Sequence, residues 1–493
     1  MSEELTNEIK KRRTFAIISH PDAGKTTLTE KFLLYGGAIN TAGSVKGKAN
    51  SKYAVSDWME IEKERGISVT SSVLQFKYDD FCINILDTPG HQDFSEDTYR
   101  TLMAADSAVM VIDASKGVEA QTIKLFKVCV MRHIPIFTFI NKMDREARDS
   151  FELLDDIESV LGIRTCPVNW PIGSGKRFKG IYDRRAKTVR TFESVSTGGA
   201  KSAAETDYDI NDPALKELAT EELYDQLIDE IELLDGASDP LDLEQVQKGE
   251  LSPVFFGSAL TTFGVETFLK YFLEMTTSPL PRMSNEGEID PLTNDFSAFV
   301  FKIQANMNKA HRDRIAFLRI CSGKFQADKE VYHVQSGRKL RLSQPQQIMA
   351  QDRQVISEAY AGDVIGVFDP GLFSIGDTIT MPGSKFEYEG IPTFAPEHFA
   401  RVIQLNSMKR KQFVKGITQI AQEGAIQIFQ EYTAGMSEII VGVVGVLQFD
   451  VLKYRLENEY GCEIRLESLP YGFIRWVGDP TTCLLYTSDA ADE

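Results

Sequence analysis

A lysine and a threonine follow a short loop that lies between an apolar segment and a predicted helix. The loop runs Ser19-His20-Pro21-Asp22-Ala23-Gly24, and Lys25 and Thr26 come directly after it. Backbone N–H groups in such a loop, together with the positive end of the helix dipole, converge on phosphate oxygens. Lys25 suits contact with the β- and γ-phosphates, and the Thr26 hydroxyl suits coordination of Mg²⁺. We therefore predict that this segment binds the phosphates of a nucleotide.

Ser19 stands where the P-loop pattern G-x-x-x-x-G-K-[ST] has its first glycine. A serine is compatible with the pattern if its backbone does not need a positive φ, so the assignment is kept. The alternative for this segment alone is a Gly-Lys-Thr in an ordinary turn between a strand and a helix.

A second polar segment, Asp87-Thr88-Pro89-Gly90-His91, follows the apolar strand predicted at residues 81–86. An aspartate at the carboxyl end of a strand can hold Mg²⁺ through water, and the Gly90 N–H can contact a γ-phosphate. This segment is therefore predicted to bind the γ-phosphate and Mg²⁺ beside the loop.

Two further segments suit the recognition of guanine. Asn141-Lys142-Met143-Asp144 follows an apolar strand, and the Asp144 carboxylate can accept hydrogen bonds from N1 and the exocyclic amine of guanine. Adenine lacks that pair of donors and would leave buried polar groups unpaired. Ser258-Ala259 follows another apolar strand and suits contact with the edge of the base. The four segments stand in the order that a GTPase needs, which disfavours the ordinary-turn alternative.

Length, charge and composition limit the other classes of function. The chain has 493 residues and a net charge of −18, so we expect roughly three domains and no general affinity for DNA. Neither the six cysteines nor the six histidines show metal-ligand spacing. No apolar run could span a bilayer and the start lacks a signal-peptide core, so no membrane contact and a cytoplasmic location are expected. Basic patches, which are more often solvated than bound to RNA phosphates, occur at 311–314, 337–341 and 409–415.

The spacing of apolar segments predicts three folds in succession. Residues 1–283 alternate strands and helices, which is typical of an α/β P-loop GTPase domain with a doubly wound, mostly parallel sheet. An insertion at about 170–252 interrupts this domain and includes an acidic segment, 214–250, with helical periodicity. Residues 291–390 show short alternating strands and predict an antiparallel β-barrel. Residues 395–478 predict a small α+β sandwich domain.

The last residues of the chain differ from the rest. Residues 479–493 show no periodicity and resemble a foreign tail, and we exclude them from the prediction of the fold. The preceding strand ends at Trp476-Val477 without a closing helix, so we expect the α+β domain to be truncated and loosened.

With these motifs and this domain order, the chain resembles the translational GTPases, and within them the release-factor branch. The resemblance covers about residues 8–478. It is carried by the segments already described and by 54–60, 64–70 and 169–175, which read Ala54-Val55-Ser56-Asp57-Trp58-Met59-Glu60, Glu64-Arg65-Gly66-Ile67-Ser68-Val69-Thr70 and Asn169-Trp170-Pro171-Ile172-Gly173-Ser174-Gly175.

The resemblance implies a role for two further residues. His91 matches the histidine that orients the attacking water in relatives, with a turn-capping role as its alternative. Ser68 stands where most relatives have a threonine that coordinates Mg²⁺, and it keeps the hydroxyl. The implied cofactors are GTP, GDP and Mg²⁺.

The resemblance also implies partners and a reaction. The chain is expected to be a monomeric, ribosome-dependent GTPase that contacts ribosomal RNA and proteins and recycles the codon-reading peptide chain release factors. Two alternatives stay open: another ribosomal GTPase of the elongation or ribosome-protection type, and a binding module that responds to guanine nucleotides without hydrolysing them.

Overall fold

The computed structural model describes residues 3–39, 61–62, 68–192, 205–305, 314–349, 352–430 and 439–475. The predicted loop at 194–204, the segments 54–60 and 64–67, and everything from Trp476 onward lie outside these residues. Two compact units are formed, one by the described residues up to 392 together with 422–424, the other by the remaining described residues from 393. Within these ranges no helix combines the length and the apolar character that crossing a bilayer needs.

Strands and helices alternate through the first part of the chain. The strands are β1 (Arg12–Ser19), β2 (Ser72–Tyr78), β3 (Phe81–Asp87), β4 (Ser107–Asp113), β5 (Ile136–Asn141), β6 (Arg164–Pro167), β7 (Asn169–Ile172), β8 (Gly180–Asp183), β9 (Thr188–Phe192), β10 (Glu205–Asp209) and β11 (Leu251–Phe256). The helices are α1 (Glu3–Lys10), α2 (Lys25–Tyr35), α3 (Ser95–Leu102), α4 (Ala120–Met131), α5 (Ser150–Leu161), α6 (Pro213–Ala219), α7 (Glu221–Ala237), α8 (Leu243–Gln247) and α9 (Val265–Met275).

Seven strands form the central sheet, in the order β2-β3-β1-β4-β5-β11-β6. All neighbours pair in parallel except β2, which runs antiparallel to β3 at one edge. Alternate residues of β1 enter different cores: Phe15 and Ile17 pack with α2 and α9, whereas Ala16 and Ile18 pack with residues of α4 and α5. Helices therefore cover both faces, and the predicted doubly wound, mostly parallel sheet is confirmed.

A second, four-stranded antiparallel sheet lies between β6 and β11 in the sequence. Its order is β10-β9-β8-β7, and α6, α7 and α8 follow it along the chain. The acidic segment predicted as helical from 214 to 250 consists of these three helices. Thr220, with a φ of 73°, interrupts the helical backbone between α6 and α7. The helical periodicity of this segment predicts one apolar stripe, Leu215, Ala219, Leu223, Leu227 and Ile231. The first four of these residues are buried, and Ile231 is partly buried against the same core.

An antiparallel barrel follows the central sheet. The strands in this part of the chain are β12 (Arg282–Ser284), β13 (Gly287–Ile289), β14 (Ser297–Ala305), β15 (Arg314–Ser322), β16 (Lys324–Gln326), β17 (Val331–His333), β18 (Arg338–Leu340), β19 (Ser343–Met349), β20 (Asp352–Val355), β21 (Glu358–Tyr360), β22 (Val364–Phe368) and β23 (Thr378–Thr380). β12 and β13 form a separate two-stranded sheet and precede the barrel. Eight of the other strands form one sheet in the order β18-β17-β23-β14-β15-β22-β19-β20, and β16 pairs with β21. The strands enclose their own apolar core, so the predicted β-barrel is confirmed.

Polar contacts join the barrel to the central sheet. Thr14 donates its hydroxyl hydrogen bond to the Gly362 carbonyl oxygen, and Gln75 Nε2 donates to Val364 O at 2.8 Å. Gly362 has a φ of 103°, and a Cβ there would lie 2.6 Å from Arg12 Cβ. A glycine is thus required where the barrel approaches β1 closely.

The second unit is a small α+β fold, as predicted. Its elements are β24 (His398–Gln404), α10 (Arg410–Gln422), β25 (Gln427–Gln430), β26 (Ile439–Val443), α11 (Leu447–Asn458) and β27 (Ile464–Leu469). The four strands pair antiparallel in the order β25-β26-β24-β27. Residues of α10 and α11, including Ile417 and Leu456, are fully buried in the same core as the strand residues.

Candidate functional site

The phosphate loop joins β1 to α2 at the centre of the sheet. Ser19 is the last residue of β1 and its φ is not positive, so no glycine is needed there. Positive φ angles occur instead at Asp22 (66°) and Gly24 (101°). A Cβ at Gly24 would lie 2.2 Å from Asn141 Nδ2, so both the backbone angle and the space require glycine at this position.

Lys25 is paired with a carboxylate inside the site. Its Nζ lies 2.6 Å from Asp87 Oδ1, and both side chains are buried. Asp87 ends β3, and the neighbouring Thr88 donates its hydroxyl hydrogen bond to Ile17 O of β1 at 2.7 Å. The carboxyl ends of two adjacent parallel strands thereby bring a cation and an anion together beside the loop.

The predicted base-binding segments are held to each other and to the phosphate loop. Asn141 Nδ2 donates to Ala23 O, and Asn141 Oδ1 accepts from Ala259 N, both at 2.8 Å. Ser258 Oγ donates to Asp144 Oδ1 at 2.6 Å. A carboxylate has about four acceptor sites, so Asp144 keeps the capacity to accept from a base.

Lys142 connects the two ends of the site. Its Nζ donates to Asp22 O and to Asp113 Oδ2, each at 2.6 Å. Asp113 Oδ1 in turn accepts from Ser115 N and Ser115 Oγ. Burial raises the pKa of Asp113, but the hydrogen bonds from Lys142 and Ser115 lower it by a larger amount. The pKa of Asp113 therefore lies below its ordinary value. This carboxylate therefore stays ionised and holds the lysine in place.

Most of the predicted nucleotide-binding residues line one cleft of about 570 Å³. The predicted residues on its wall are Ser19, His20, Pro21, Asp22, Gly24, Lys25, Thr26, Ser68, Gly90, His91, Asn141, Lys142 and Asp144. The other predicted residues, Ala23, Asp87, Thr88, Pro89, Met143, Ser258 and Ala259, do not line the cleft. Leu260, which completes the Ser-Ala-Leu loop predicted to contact the edge of the base, also lines it. Residues that were not predicted line it as well, namely Thr27, Asp113, Ser115, Lys116 and Arg145. Asp113 could have been found from its place at the carboxyl end of a buried parallel strand.

His91 lies on the cleft wall and also caps a short helix. Its Nδ1 accepts from Asp93 N at 3.2 Å at the start of the 3₁₀ helix Gln92–Phe94. The side chain is 33% exposed. Asp93 Oδ1 also lies 3.3 Å from Nδ1, so both contacts hold the ring through this one nitrogen.

Oxygen atoms are the candidate metal ligands of this site. The Thr26 and Ser68 side chains line the cleft, and the Asp87 carboxylate lies behind Lys25. In the described part of the chain, no cluster of three or more His, Cys, Asp or Glu residues could hold a metal ion by itself. Two hydroxyls and one carboxylate fit Mg²⁺, which prefers oxygen ligands and commonly shares its coordination with substrate phosphates.

Comparison with known families identifies three successive parts of the chain. Residues 10–278 match the model of the Elongation factor Tu GTP binding domain, residues 295–381 match Elongation factor G domain 2, and residues 388–490 match the Class II release factor RF3, C-terminal domain. The fold and the site therefore define a translational GTPase.

Individual relatives narrow the class further. Proteins named Peptide chain release factor 3 are 60% identical over 475 residues in Symbiobacterium thermophilum and 57% identical over 473 residues in Gloeobacter violaceus. These alignments cover 96% of this chain in both cases, and 90% and 89% of the relatives. The chain belongs to the peptide chain release factor 3 family. It is accordingly a GTPase of translation termination that binds guanine nucleotides.

A solved structure shows the same fold at lower sequence similarity. A crystal structure of a protein from Thermus thermophilus matches with a TM-score of 0.74 and 22% identity, and it covers 93% of this chain and 67% of that one. The arrangement of the strands and helices is therefore shared with an experimentally determined structure.

Proposed function

We propose that this chain binds GTP and GDP with Mg²⁺, hydrolyses GTP on the ribosome, and so drives the release and recycling of the codon-reading release factors. The observation that carries the proposal is a single cleft, lined by Lys25, Thr26 and Ser68 at one end and by Asp144 at the other. The family membership supports the termination role.

Base selection rests on the Asp144 carboxylate. Ser258 orients one carboxylate oxygen, and the remaining acceptor capacity faces the cleft. Guanine supplies two adjacent donors to this acceptor, whereas adenine would leave it unpaired in a partly buried site. Discrimination against adenine follows from that loss.

Phosphate binding requires an exchange of partners at Lys25. The lysine is committed to Asp87 at 2.6 Å, so a β- or γ-phosphate must compete with this carboxylate for the ammonium group. Thr26, Ser68 and, through water, Asp87 would hold Mg²⁺, which neutralises charge that develops on the phosphates. The loop N–H groups and the α2 dipole complete the electrostatic stabilisation.

In this proposal His91 orients the attacking water. Its ring is held by the bond from Asp93 N, and it lines the same cleft as Lys25 and Ser68. The capping role and the catalytic role are compatible, because the cap engages only Nδ1. We propose that ribosome docking completes the alignment of this side chain, which makes the hydrolysis ribosome-dependent.

Ribosome-stimulated phosphate release tests the catalytic part of the proposal. His91→Ala should lower the stimulated rate by about 10²–10⁴-fold, the usual contribution of a positioned proton-transferring group, and should leave GTP affinity nearly intact. His398→Ala, the same substitution at an exposed histidine outside the cleft, is the matched control and should hydrolyse GTP normally. Equal turnover with and without ribosomes would refute the ribosome-dependent reaction.

A recycling assay tests the termination part. Post-release ribosomes that carry a codon-reading release factor should lose it faster when this chain and GTP are added. Stimulated hydrolysis without faster dissociation of the release factor would favour a ribosomal GTPase of another type. The proposed setting is the cytoplasm, with the chain acting as a monomer on ribosomal RNA and proteins and without a DNA partner.

A further inference from the structure

One side chain of the barrel reaches a junction between two segments of the GTPase domain. Lys302 of β14 donates from Nζ to the Ser71 carbonyl oxygen, and the same Nζ lies 3.9 Å from Asp97 Oδ2 of α3. Asp97 Oδ2 also accepts from Ser71 N and from Ser71 Oγ, each at 2.6 Å. Thr101 Oγ1 of α3 donates to Ser71 Oγ at 2.8 Å. A barrel lysine, a carboxylate and two hydroxyls thus form one connected network.

Most of this junction is shielded from solvent. Lys302 is 5% exposed, Ser71 is 3% exposed and Thr101 is fully buried, whereas the Asp97 side chain is 23% exposed. A lysine in such a place needs an anion and hydrogen-bond acceptors, because an unpaired buried charge is strongly unfavourable. Burial raises the pKa of Asp97, but Lys302 and the Ser71 donors together lower it by a larger amount. The pKa therefore lies below its ordinary value, which favours the charged carboxylate. The network therefore has a defined geometry that is costly to break.

Both segments at the junction continue into the nucleotide cleft. Ser71 lies three residues after Ser68, which lines the cleft, and the intervening Val69 N and Thr70 N both donate to Glu62 Oε1. Helix α3 follows Gly90 and His91, which line the same cleft. If the Ser68 segment or the His91 segment moved at the phosphate end of the cleft, the contacts of Lys302 with Ser71 and Asp97 would have to change.

We infer that Lys302 is a positioning residue through which the barrel holds the Ser68 and His91 segments in the arrangement that binds a γ-phosphate. This inference rests on the proposed function of the cleft. A contact that favours one arrangement of these segments contributes a differential affinity for the nucleotide that requires it. Because only GTP carries a γ-phosphate, Lys302 should favour GTP over GDP, and the barrel should sense which nucleotide is bound.

Nucleotide affinities of the full chain test the inference. Lys302→Met keeps the length of the side chain and removes the charge. It should weaken binding of a non-hydrolysable β,γ-imido GTP analogue by about tenfold, the effect of losing a charged hydrogen bond, and should leave GDP binding nearly unchanged. The readout is the ratio of the two dissociation constants, which a purely structural role would not move.

Another buried ion pair across the same interface provides the matched control. Arg319 of β15 donates from Nη2 to Asp106 Oδ2, one residue before β4, and both residues are buried. The carboxyl end of β4 lines the cleft at Asp113, so Asp106 lies at the opposite edge of the sheet. Arg319→Met should lower the melting temperature as Lys302→Met does, without changing the ratio of the dissociation constants.

Asp97→Asn gives a second, milder variant. The amide oxygen can still accept from Ser71, but the charge that Lys302 faces is lost, so the ratio should change in the same direction by a smaller factor. Equal loss of affinity for both nucleotides in Lys302→Met, or a selective loss in Arg319→Met, would overturn the inference alone. A wild-type chain that bound neither guanine nucleotide would overturn the proposed function, and the inference with it.

Discussion

The base end and the phosphate end of the cleft are built in different ways. At the base end, Asn141 is bonded to both Ala23 and Ala259, and Asp144 is oriented by Ser258. These bonds leave the acceptor of the base in place before a nucleotide arrives. At the phosphate end, Lys25 is instead paired with Asp87, the residue proposed to anchor Mg²⁺.

This difference implies that selection of the base and binding of the phosphates depend on different parts of the cleft. A site that is already assembled discriminates between bases by the groups that a wrong base leaves unpaired, without rearrangement. A site whose lysine must change partners responds to the phosphates and the metal together. On the proposed function, guanine would be recognised by the preassembled end, and the number of phosphates by the end at which Lys25 must change partners.

Replacement of the base acceptor should give the largest effect. Asp144→Asn removes the double acceptor and supplies an amide that can donate to the 2-oxo group of xanthine. Preference should move from GTP toward XTP by a factor on the order of 10⁴, measured by competition binding. Ser258→Ala is the control, since it should weaken GTP binding without any gain for XTP. Unchanged GTP affinity in Asp144→Asn would contradict the proposal that Asp144 accepts the hydrogen bonds of guanine.

Release of Lys25 from its partner should have an intermediate effect. Asp87→Asn removes the charge that competes with phosphate for the lysine, so GDP affinity in the absence of Mg²⁺ should rise about tenfold. The enhancement by added Mg²⁺ should shrink at the same time, because the water-mediated anchor is lost. Titrations of labelled GDP in EDTA and in Mg²⁺ measure both quantities. An unaltered Mg²⁺ dependence would show that the phosphate end does not rely on an exchange of partners between Lys25 and Asp87.

The smallest effect is expected for the ion pair between Lys142 and Asp113, which holds the base-binding segment beside the phosphate loop. The pKa of Asp113 in the folded chain is below the ordinary value of 3.8, so the folded state binds a proton less readily than the unfolded state. Its stabilisation, about 1 kcal/mol, is therefore fully present above pH 3.8 and is lost as the pH falls through the lowered folded pKa. The free energy of unfolding should differ between wild type and Asp113→Asn by a constant amount at neutral pH, and the difference should vanish in acid. Asp229→Asn, at an exposed position of α7, should show no such pH-dependent difference.

The sequence predicted the parts of the site that belong to strand ends. Each of the four motifs follows an apolar strand, and parallel strands place their carboxyl ends along one edge of the sheet, so their convergence could be anticipated. Ser19 is compatible with the loop, as its place in the pattern predicts, because the positive φ angles fall at Asp22 and Gly24.

Contacts between distant residues could not be predicted in the same way. Nothing in the motifs shows that Lys25 pairs with Asp87 or that Lys142 pairs with Asp113, since these pairs depend on side-chain geometry. The short strand β6 was missed, because only four residues form it between α5 and the start of the inserted sheet and their apolar pattern is weak. The break at Thr220 was missed because the apolar stripe continues across it.

The insertion is held against the GTPase domain along an extended contact. Its first strand continues beside β11, where the Asn169 side chain donates to Phe256 O and accepts from Phe256 N at 3.0 and 2.7 Å. Trp170 of β7 is fully buried against Phe151 of α5 and Phe256 of β11. Because the insertion completes part of the apolar core of the domain, the two should unfold together in a single thermal transition.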